Sequence, residues 1–563
     1  YKGIFKLKDK GILSENEADI LSNAYIFYRK LEHLIQIKNC VQTQLFKYKE
    51  ADKYALKIGL KNGNQLLNLL NSYRKSIEQV FNSLEIREAK KLTVVQKYVF
   101  TKHYEDEVLN YFKEIGFKNP KWALERIKEI FLSKDFILLS EDFKQAYFDF
   151  IPKLEEILKK FQDKEDFLRN LTELLIQGKM LPIFASALIQ NEKLVEFILN
   201  IAKISDFLSD LMAKDPQLLD YAFGVEDIPQ TKKDFEKELQ TIKNKDFLEK
   251  LNKLKNIVQV LSALKYLTQL QSKYAKDRLK ELNNTLSNLA DFILEKLYRQ
   301  EHSEGLAIYG LGKLGSREMN IGSDLDIVFV FENQDMKLKH GNVPINIVSS
   351  LTKYTKEGIL YPIDLRLRPY GRSGELAPTL NFYKNYFKNE ARSWERLAWT
   401  KARFITGDEN VKKQMNDIIE DFLFSKPVDK EFLYDVYEMR MKLEGLAVET
   451  SEEIDIKLGY GGIVDIEFLI QITLLKNKIK SKTTYEIVEI YFPHLLQHYL
   501  FLREVETRLR MIKGIGISKI SKKSPHLYRV AHSFNMESNE LWNKILDTRR
   551  KVRESFIKSV KAV

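Results

Sequence analysis

A glycine-rich segment followed by two closely spaced aspartates places the strongest constraint on how this chain can fold. Residues 310–326 read GLGKLGSREMNIGSDLD, and the apolar run IVFVF follows directly. That run predicts a buried strand, and the apolar residues from Leu306 to Leu311 predict another. We therefore expect a strand, a glycine-rich turn, a short helix and a second strand that begins at the aspartates.

The two aspartates, Asp324 and Asp326, are expected to share one face of the second strand, because side chains alternate along a strand. Two carboxylates so close together repel each other unless a cation neutralises them. Their hard oxygen atoms suit Mg²⁺ or Mn²⁺. The preceding turn would let backbone N–H groups approach phosphates, and the residues predicted to contact a nucleotide there are Gly315, Ser316 and Ser323.

A third carboxylate is expected from residues 361–369, which read YPIDLRLRP. Asp364, Arg366 and Arg368 fall at every second position, so a strand from Leu360 to Leu367 would direct all three into one cleft. Guanidinium groups suit the oxygen atoms of a polyphosphate. A lone Asp-x-Asp is more often a loop or capping feature. The combination of glycine turn, Asp-x-Asp strand and later aspartate instead predicts a polymerase-β-like nucleotidyltransferase core.

The rest of the chain has a helical pattern. Up to about residue 300, apolar residues recur every three or four positions, as in Ile151 to Phe161 and Leu279 to Leu297. Within the mixed region, a helix is predicted from Val343 to Lys356, and helices are expected to return after Asp408. The predicted fold class is mainly α, with one α/β (α+β) nucleotidyltransferase domain and helical bundles on both sides.

An internal repeat links the two ends of the chain. Residues 25–32, YIFYRKLE, match residues 499–506, YLFLREVE, so that Tyr, Arg and Glu stand at equal steps. Further apolar and arginine positions between Leu66 and Phe81 match those between Leu541 and Phe556. If the duplication once included the α/β unit, its first copy would lie upstream of this chain. The first bundle should then expose an apolar surface.

Composition restricts the function classes. The net charge of the 563 residues is +12, but the 91 basic residues are interspersed with 79 acids, which favours a solvated lysine-rich surface over nucleic-acid binding. No apolar run reaches the ~20 residues of a membrane span, so no membrane association is expected. The single cysteine, Cys40, cannot form an intrachain disulfide, fits a cytoplasmic setting and is expected in a core.

Long motifs carry a family resemblance over essentially the whole chain. They are GLGKLGSREMNIGSDLDIVF, GILYPIDLRLRPYGRSGEL, the stretch from Tyr386 to Arg403, and KLGYGGIVDIEF at residues 457–468. These resemble the bacterial bifunctional glutamine synthetase adenylyltransferase/adenylyl-removing enzymes. Two differences stand out, because that family often has Gly at Ser316 and Ser at Gly322. The glycine at position 322 is expected to loosen the turn before Asp324.

The resemblance implies two tandem transferase units, of which this chain contains the second. It implies four regions. Residues 1–85 would end an upstream adenylyl-removing unit, residues 86–295 would form a helical linker or regulatory region, residues 296–425 the nucleotidyltransferase domain, and residues 426–563 a C-terminal bundle. It further implies ATP as substrate, glutamine synthetase as protein substrate, and the PII signalling protein and glutamine as regulators.

The expected reaction is attack by a protein hydroxyl on the α-phosphorus of ATP, with Asp324, Asp326 and Asp364 as catalytic and metal-binding residues. By resemblance, the hydroxyl belongs to a tyrosine of glutamine synthetase. Phosphorolytic removal of AMP by the same carboxylates, a regulatory helical scaffold with an idle core, and nucleic-acid extension remain alternatives.

Several further residues have two possible roles. Trp394, Glu395, Arg396, Lys401 and Arg403 are read as one helical stretch that braces the cleft or contacts the nucleotide, with bracing favoured. Asp465 and Glu467 near the start of a helix either cap it or belong to the site. His494 and His498 have metal-ligand spacing, but a helix surface is favoured.

Overall fold

The chain is mainly helical, as predicted. The computed structural model describes residues 2–39, 46–89, 92–218, 228–243, 245–270, 274–480 and 483–561, and Cys40 lies outside them. The contacts divide the chain into two compact units, Tyr1–Lys159 and Lys160–Val563, with the division inside the predicted 86–295 region. The four predicted domain ranges stay predictions.

Helices make up most of the described part of the first unit, and some of them begin at a capping side chain. Thr93 accepts a hydrogen bond from the backbone N–H of Gln96, whose side chain in turn accepts from the Thr93 N–H. Helices α1 to α9 are Lys2–Asp9, Glu15–Asn39, Ala51–Lys57, Gly63–Ala89, Val94–Thr101, Glu105–Glu114, Pro120–Phe131, Lys134–Ile137 and Glu141–Lys160.

Further helices open the second unit. The Asn191 and Ser205 side chains accept hydrogen bonds from backbone N–H groups in the first turn of the helices that follow them. Among the described residues, no single helix is long and apolar enough to cross a bilayer. One sharply bent pair, Lys164–Gln177 and Leu181–Gln190, is long and apolar enough when its two helices are taken together. Helices α10 to α16 are Lys164–Thr172, Leu181–Gln190, Glu192–Ile204, Asp206–Lys214, Lys232–Thr241, Phe247–Thr268 and Ala275–Gln300.

A four-stranded sheet follows, in the order β3-β2-β1-β4. Strand β1 pairs antiparallel with β2 and with β4, while β2 pairs parallel with β3, which sets Asp326 opposite Asp364. The predicted strands at Leu306 and at the aspartates are thus confirmed. The strands are β1 Leu306–Gly310, β2 Leu325–Phe331, β3 Ile363–Asp364 and β4 Arg403–Gly407.

Two sequence predictions in this region were wrong. The strand expected from Leu360 to Leu367 is only two residues long, because the Asp364 carboxylate accepts a hydrogen bond from the Arg366 backbone N–H at 2.9 Å and turns the chain. The helical stretch expected to include Arg403 ends at Trp399, and Arg403 begins β4 instead.

Helices cover the sheet and close its core. The side chains of Tyr309, Val328 and Val330 pack in one apolar cluster with Trp399 and with Phe422. The helix predicted from Val343 ends at Thr352, close to expectation. Helices α17 to α23 are Gly312–Gly315, Gln334–His340, Val343–Thr352, Leu380–Asn389, Ser393–Trp399, Glu409–Phe424 and Lys430–Gly445.

The C-terminal region is helical but also contains a short antiparallel pair, β5 Glu453–Asp455 and β6 Lys519–Ser521. No pattern in the sequence predicts this pair. Each strand has three residues, too few for an alternating pattern to appear. The last helices, α24 to α28, are Ile463–Lys476, Thr484–Tyr491, Leu496–Lys513, Pro525–Ser533 and Ser538–Lys561.

The internal repeat appears as two helix trios in the same order. Helices α2, α3 and α4 form the first, and α26, α27 and α28 the second, each with a short helix between two long ones. In each trio the short helix and the first long helix contact the last helix. The prediction that residues 1–85 fold like the C-terminal helices is confirmed in helix order.

The repeated Tyr–Arg–Glu pattern forms the same bonds in both copies. Arg29 Nε donates to Tyr25 Oη at 3.4 Å and Arg29 Nη1 to Glu32 Oε2 at 2.7 Å. The corresponding distances around Arg503 are 3.0 Å to Tyr499 Oη and 2.9 Å to Glu506 Oε2.

The surroundings of the two copies differ. The Arg29 side chain is 51% exposed and the Arg503 side chain 5%. Phe81 and Tyr25 are also exposed, whereas the matching Phe556 and Tyr499 are buried. The same local pattern therefore occurs once at a surface and once in an interior.

We expect Arg503→Ala to lower the free energy of unfolding by about 3–5 kcal/mol, because it leaves buried carboxylates without their cation. Arg29→Ala breaks the same two bonds at the surface and should leave the urea midpoint almost unchanged. Urea unfolding followed by circular dichroism compares the two variants. Equal shifts in both would contradict the difference in burial.

Candidate active site

The glycine-rich turn brings the start of a short helix against an aspartate. Gly312 has a positive φ of 49°, and a Cβ built on it would lie 2.0 Å from Asp326 Oδ2. Only glycine permits this approach without displacing the carboxylate. Glycine is therefore required where α17 begins.

Three carboxylates line one cavity of about 430 Å³: Asp324 and Asp326 from the start of β2, and Asp364 from β3. Burial, together with the charges of Asp324 and Asp364, raises the pKa of Asp326 to about 6. Burial also acts on Asp364, but its hydrogen bonds from Arg366 keep its pKa below the usual value.

The carboxylates differ in their partners. Asp364 is held by the Arg366 guanidinium, with Nε at 2.9 and 2.8 Å from its two oxygen atoms. In the part of the chain that the structure describes, no lysine or arginine forms an ion pair with Asp324 or Asp326. No three His, Cys, Asp or Glu side chains there form a ready metal cluster. The Asp324–Asp326 pair, which forms no ion pair with a lysine or arginine among the described residues, has the donor chemistry that a hard divalent cation requires.

The rest of the cavity combines an apolar wall with cationic side chains. Trp394, Leu397, Met439, Leu443 and Phe468 supply the apolar surface.

Lys401, Lys457 and Arg510 line the same space, as do Gly312 and Lys313. An apolar wall next to cations and carboxylates can accommodate a flat ring at one end and a polyanion at the other.

A largely buried carboxylate, Glu467, organises these cations. It lies 3.5 Å from Lys401 Nζ and 2.7 Å from Arg503 Nη2. Burial opposes its ionisation, but Lys401, Arg503 and Lys457 lower the pKa of Glu467 to about 2. The cavity wall thus keeps its own fixed negative charge.

Helix α26 holds the glycine-rich segment in place through a buried carboxylate. Its fully buried Glu506 accepts hydrogen bonds from Lys313 at 2.5 Å, Arg503 at 2.9 Å and Arg510 at 3.2 Å. Burial acts against the charge, but these three cations hold the pKa of Glu506 well below its usual range.

The same helix also holds the loop before Asp324. Arg510 Nη1 donates to the Ile321 carbonyl at 3.2 Å, and Tyr499 Oη donates to Glu318 at 3.1 Å. One helix therefore fixes both ends of the segment that positions the aspartates.

Gly322 does not loosen the turn, contrary to expectation. It is left-handed, and a Cβ there would lie 2.3 Å from the Gly514 carbonyl oxygen. Gly514 is itself left-handed, and a Cβ on it would meet the Phe207 ring at 2.2 Å. The turn is therefore packed against the end of α26, and α26 against α13.

Some predicted nucleotide contacts lie outside this cavity. Gly315 packs against the Lys401 carbonyl, Ser316 Oγ donates to the Gly312 carbonyl at 3.0 Å, and Ser323 Oγ accepts from the Asn320 N–H at 3.0 Å. Their contacts with phosphate stay predictions. Arg366 lines the cavity, as predicted.

Arg368 borders a neighbouring cavity instead. This second space, about 440 Å³, shares Asp324, Asp364 and Arg366 with the first and adds Arg368 and Arg372. Arg368 Nε donates to the Gly374 carbonyl and Nη2 to the Arg372 carbonyl, both at 3.1 Å. Asp364, Arg366 and Arg368 therefore line one space together with Asp324, as predicted, although the strand expected to direct them there ends at Asp364.

The residues with two possible roles separate clearly. Trp394, Lys401 and Glu467 line the cavity, whereas Glu395, which accepts from Tyr386 Oη at 2.7 Å, braces helix α21. Arg403 braces the turn through Asp291 and two carbonyls.

Arg396 braces the helical layer through carbonyl contacts that include the Leu423 carbonyl. Asp465 pairs with the buried Arg440. His494 contacts Ser555 at 3.0 Å, and neither His494 nor His498 belongs to a metal cluster in the described residues.

The cavity residues that no sequence pattern singled out include Gly312, Lys313, Lys457 and Arg510. The first three lie inside the quoted motifs, so their motif membership was a usable signal. Arg510 reaches the cavity from almost two hundred residues away, and no local pattern marks it.

Comparisons with known proteins agree with the motifs. A family model described as glutamate-ammonia ligase adenylyltransferase matches residues 195–418. A second, described as GlnD PII-uridylyltransferase, matches residues 1–85 and 438–562, the two ends that contain the repeat.

Curated relatives carry the name bifunctional glutamine synthetase adenylyltransferase/adenylyl-removing enzyme. One from Nitrosomonas eutropha is 27% identical over 84% of this chain and 53% of its own length. Others from Rhizobium meliloti and Mannheimia haemolytica are 28% and 26% identical over 85% and 84% of the chain. The chain spans about half the length of these relatives, and the resemblance seen in the motifs is confirmed.

We expect Glu467→Gln to lower the free energy of unfolding at pH 7 by about 3 kcal/mol, since it leaves its cationic neighbours without their carboxylate. A carboxyl whose pKa falls from 4.5 to about 2 on folding stabilises the protein above its unfolded pKa. That contribution fades as the pH drops below about 4.5, so the difference from the wild type should shrink there. Urea midpoints over a pH series test this, and a difference that grows on acidification would contradict it.

Proposed function

We propose, from the match of residues 195–418 to the family model described as glutamate-ammonia ligase adenylyltransferase, that the chain transfers AMP from ATP to a tyrosine hydroxyl of glutamine synthetase and releases pyrophosphate. The observation that supports this most directly is the cavity itself. Asp324, Asp326 and Asp364 line the same space as an apolar wall with two aromatic rings and three lysines. The fold assignment within this proposal is a polymerase-β-like core.

Asp324, Asp326 and Asp364 would hold Mg²⁺ or Mn²⁺. Bound there, the ions would lower the pKa of the attacking hydroxyl and neutralise the leaving pyrophosphate. Trp394 and Phe468 would pack against the adenine ring, and Lys401 and Lys457 would pair with the phosphates.

The chemical step is a substitution at phosphorus. The acceptor oxygen forms a bond to the α-phosphorus while the bond from that phosphorus to the bridging oxygen breaks. Pyrophosphate leaves with the electron pair of the broken bond. The hydroxyl proton passes to a carboxylate oxygen of Asp364 and then to water.

The direction of the reaction follows from the repeat. The helices that follow the α/β unit match those at the N terminus, and one family model matches both ends. The α/β unit would then be the second of two, which in the resembling enzymes adds AMP. Removal of AMP by phosphorolysis uses the same carboxylates and is the second candidate.

Regulation by the PII protein and by glutamine belongs to the same proposal, as does a cytoplasmic location. The second family model bears the name of a PII-modifying enzyme. Such regulation would act through the helical region before residue 295.

The direct test supplies purified chain with glutamine synthetase and α-labelled ATP, and separately with adenylylated glutamine synthetase and phosphate. Label on the acceptor with release of pyrophosphate supports the proposal. Formation of ADP only in the second reaction would favour AMP removal. Label found only on the ends of added RNA, or no reaction of any kind, would refute both AMP addition and AMP removal.

We expect Asp324→Asn and Asp326→Asn to lower the rate of AMP transfer by about three orders of magnitude while leaving the circular dichroism spectrum intact, because each removes a carboxylate that would hold a divalent ion beside the reacting phosphate. Asp335→Asn, which changes an exposed carboxylate outside the cavity, is the matched control. Near-normal transfer in either cavity variant would refute the assignment.

We also expect divalent ions to stabilise the chelator-treated protein against heat. An ion at a hundred times its dissociation constant adds about 2.7 kcal/mol to folded-state stability. The shift in unfolding temperature with Mn²⁺ should disappear in Asp326→Asn and persist in Asp335→Asn. An equal shift in all three proteins would place the ion elsewhere.

A further inference from the structure

Two cavities meet at the same carboxylates, which raises the question of what the second one holds. Asp324, Asp364 and Arg366 line both spaces. In a phosphoryl or nucleotidyl substitution the attacking and leaving oxygens lie roughly in line across the phosphorus. Donor and acceptor therefore approach from opposite sides of the point where the cavities meet.

The first cavity suits the nucleotide better. Its wall includes Trp394 and Phe468 together with Lys401 and Lys457. The second has no aromatic ring among its lining residues and is bordered by Pro362, Ile363 and Leu365 in addition to its charged groups. A nucleobase would find no stacking partner there.

The second cavity is lined by three arginines and two aspartates, so its charged groups carry a net positive charge. Arg366 is neutralised by Asp364. Arg368 bonds only to the carbonyls of Gly374 and Arg372. Among the described residues, no carboxylate stands within ion-pairing distance of Arg368 or Arg372, and the Arg372 side chain is exposed.

The loop geometry directs Arg372 to this space. Arg368 holds the backbone at Arg372 and Gly374 through its two hydrogen bonds, so it fixes the turn that carries Arg372. Arg372 lines the same space as Asp364. An arginine held at an open rim, without a carboxylate partner, is suited to an acidic group from another molecule.

We infer that the second cavity receives the acceptor protein, and that Arg372 binds an acidic residue flanking the modified hydroxyl. Arg368 acts as a positioning residue for that contact. This inference rests on the proposed function and adds to it the route of the acceptor and the chemical character of the segment around its hydroxyl.

The test measures AMP transfer with the acceptor concentration and the ATP concentration varied independently. Arg372→Glu should raise the KM for glutamine synthetase about tenfold, because it replaces an attraction with a repulsion. The KM for ATP and the kcat should change less than about twofold, and Arg372→Lys should retain most of the wild-type acceptor KM. Arg299→Glu, an exposed arginine outside both cavities, is the matched control.

A second probe tests directly whether an acidic segment binds at Arg372. A glutamate–tyrosine copolymer should inhibit transfer to glutamine synthetase competitively in the wild type, and lose about tenfold in potency in Arg372→Glu. A lysine–tyrosine copolymer of equal length should not inhibit either protein.

The outcomes separate the two proposals. If the wild type transfers AMP but Arg372→Glu changes neither the acceptor KM nor copolymer inhibition, the acceptor route is wrong and the proposed function stands. A rise in the KM for ATP instead would assign the cavity to the polyphosphate and overturn the inference. If the wild type transfers no AMP to any acceptor, the proposed function fails and the inference fails with it.

Discussion

The buried carboxylate of Glu506 is the interaction on which the rest of the second unit's active site depends. It binds Lys313 from the glycine-rich helix, and Arg503 and Arg510 from its own helix. An ionised group without solvent is tolerated only when its partners fully satisfy it. Since Arg510 also holds the loop before Asp324, the spacing of the aspartates is a property of helix α26 as much as of the sheet.

The site places several carboxylates close together, and lysines and arginines pair with only some of them. Glu467 and Glu506 have cations at close range, whereas Asp324 and Asp326 have none among the described residues. Asp364 and Glu467 also line the cavity but are already paired, so among the described residues Asp324 and Asp326 are the cavity carboxylates left for what binds there. Such a division is expected where electrostatic energy is used for binding rather than for folding.

The sequence predicted the local parts of this site and not its long-range contacts. Strands β1 and β2 and the shared face of Asp324 and Asp326 follow from runs of apolar residues and from alternation. The two-residue β3 does not, because a side chain–backbone hydrogen bond of Asp364 ends it where the pattern of Arg366 and Arg368 suggested that it continued.

Contacts between distant parts of the chain were equally invisible to periodicity. Lys401 meets Glu467, and Lys313 meets Glu506. Lysine and glutamate are common surface residues. These side chains become part of the site only because α24 and α26 pack against the glycine-rich turn. The repeat was predictable for the opposite reason, because both copies keep the pattern within a single helix.

The contact of Gly322 with Gly514, and of Gly514 with Phe207, has a mechanical consequence. Neither glycine has room for even one added carbon atom, so helix α13, the end of α26 and the turn before Asp324 touch without intervening side-chain slack. A close-packed interior transmits small displacements instead of absorbing them. A shift of α13 by a few tenths of an ångström would therefore be passed through Gly514 and Gly322 to Asp324. The rigid packing of these three segments thus limits how far Asp324 can move away from Asp326.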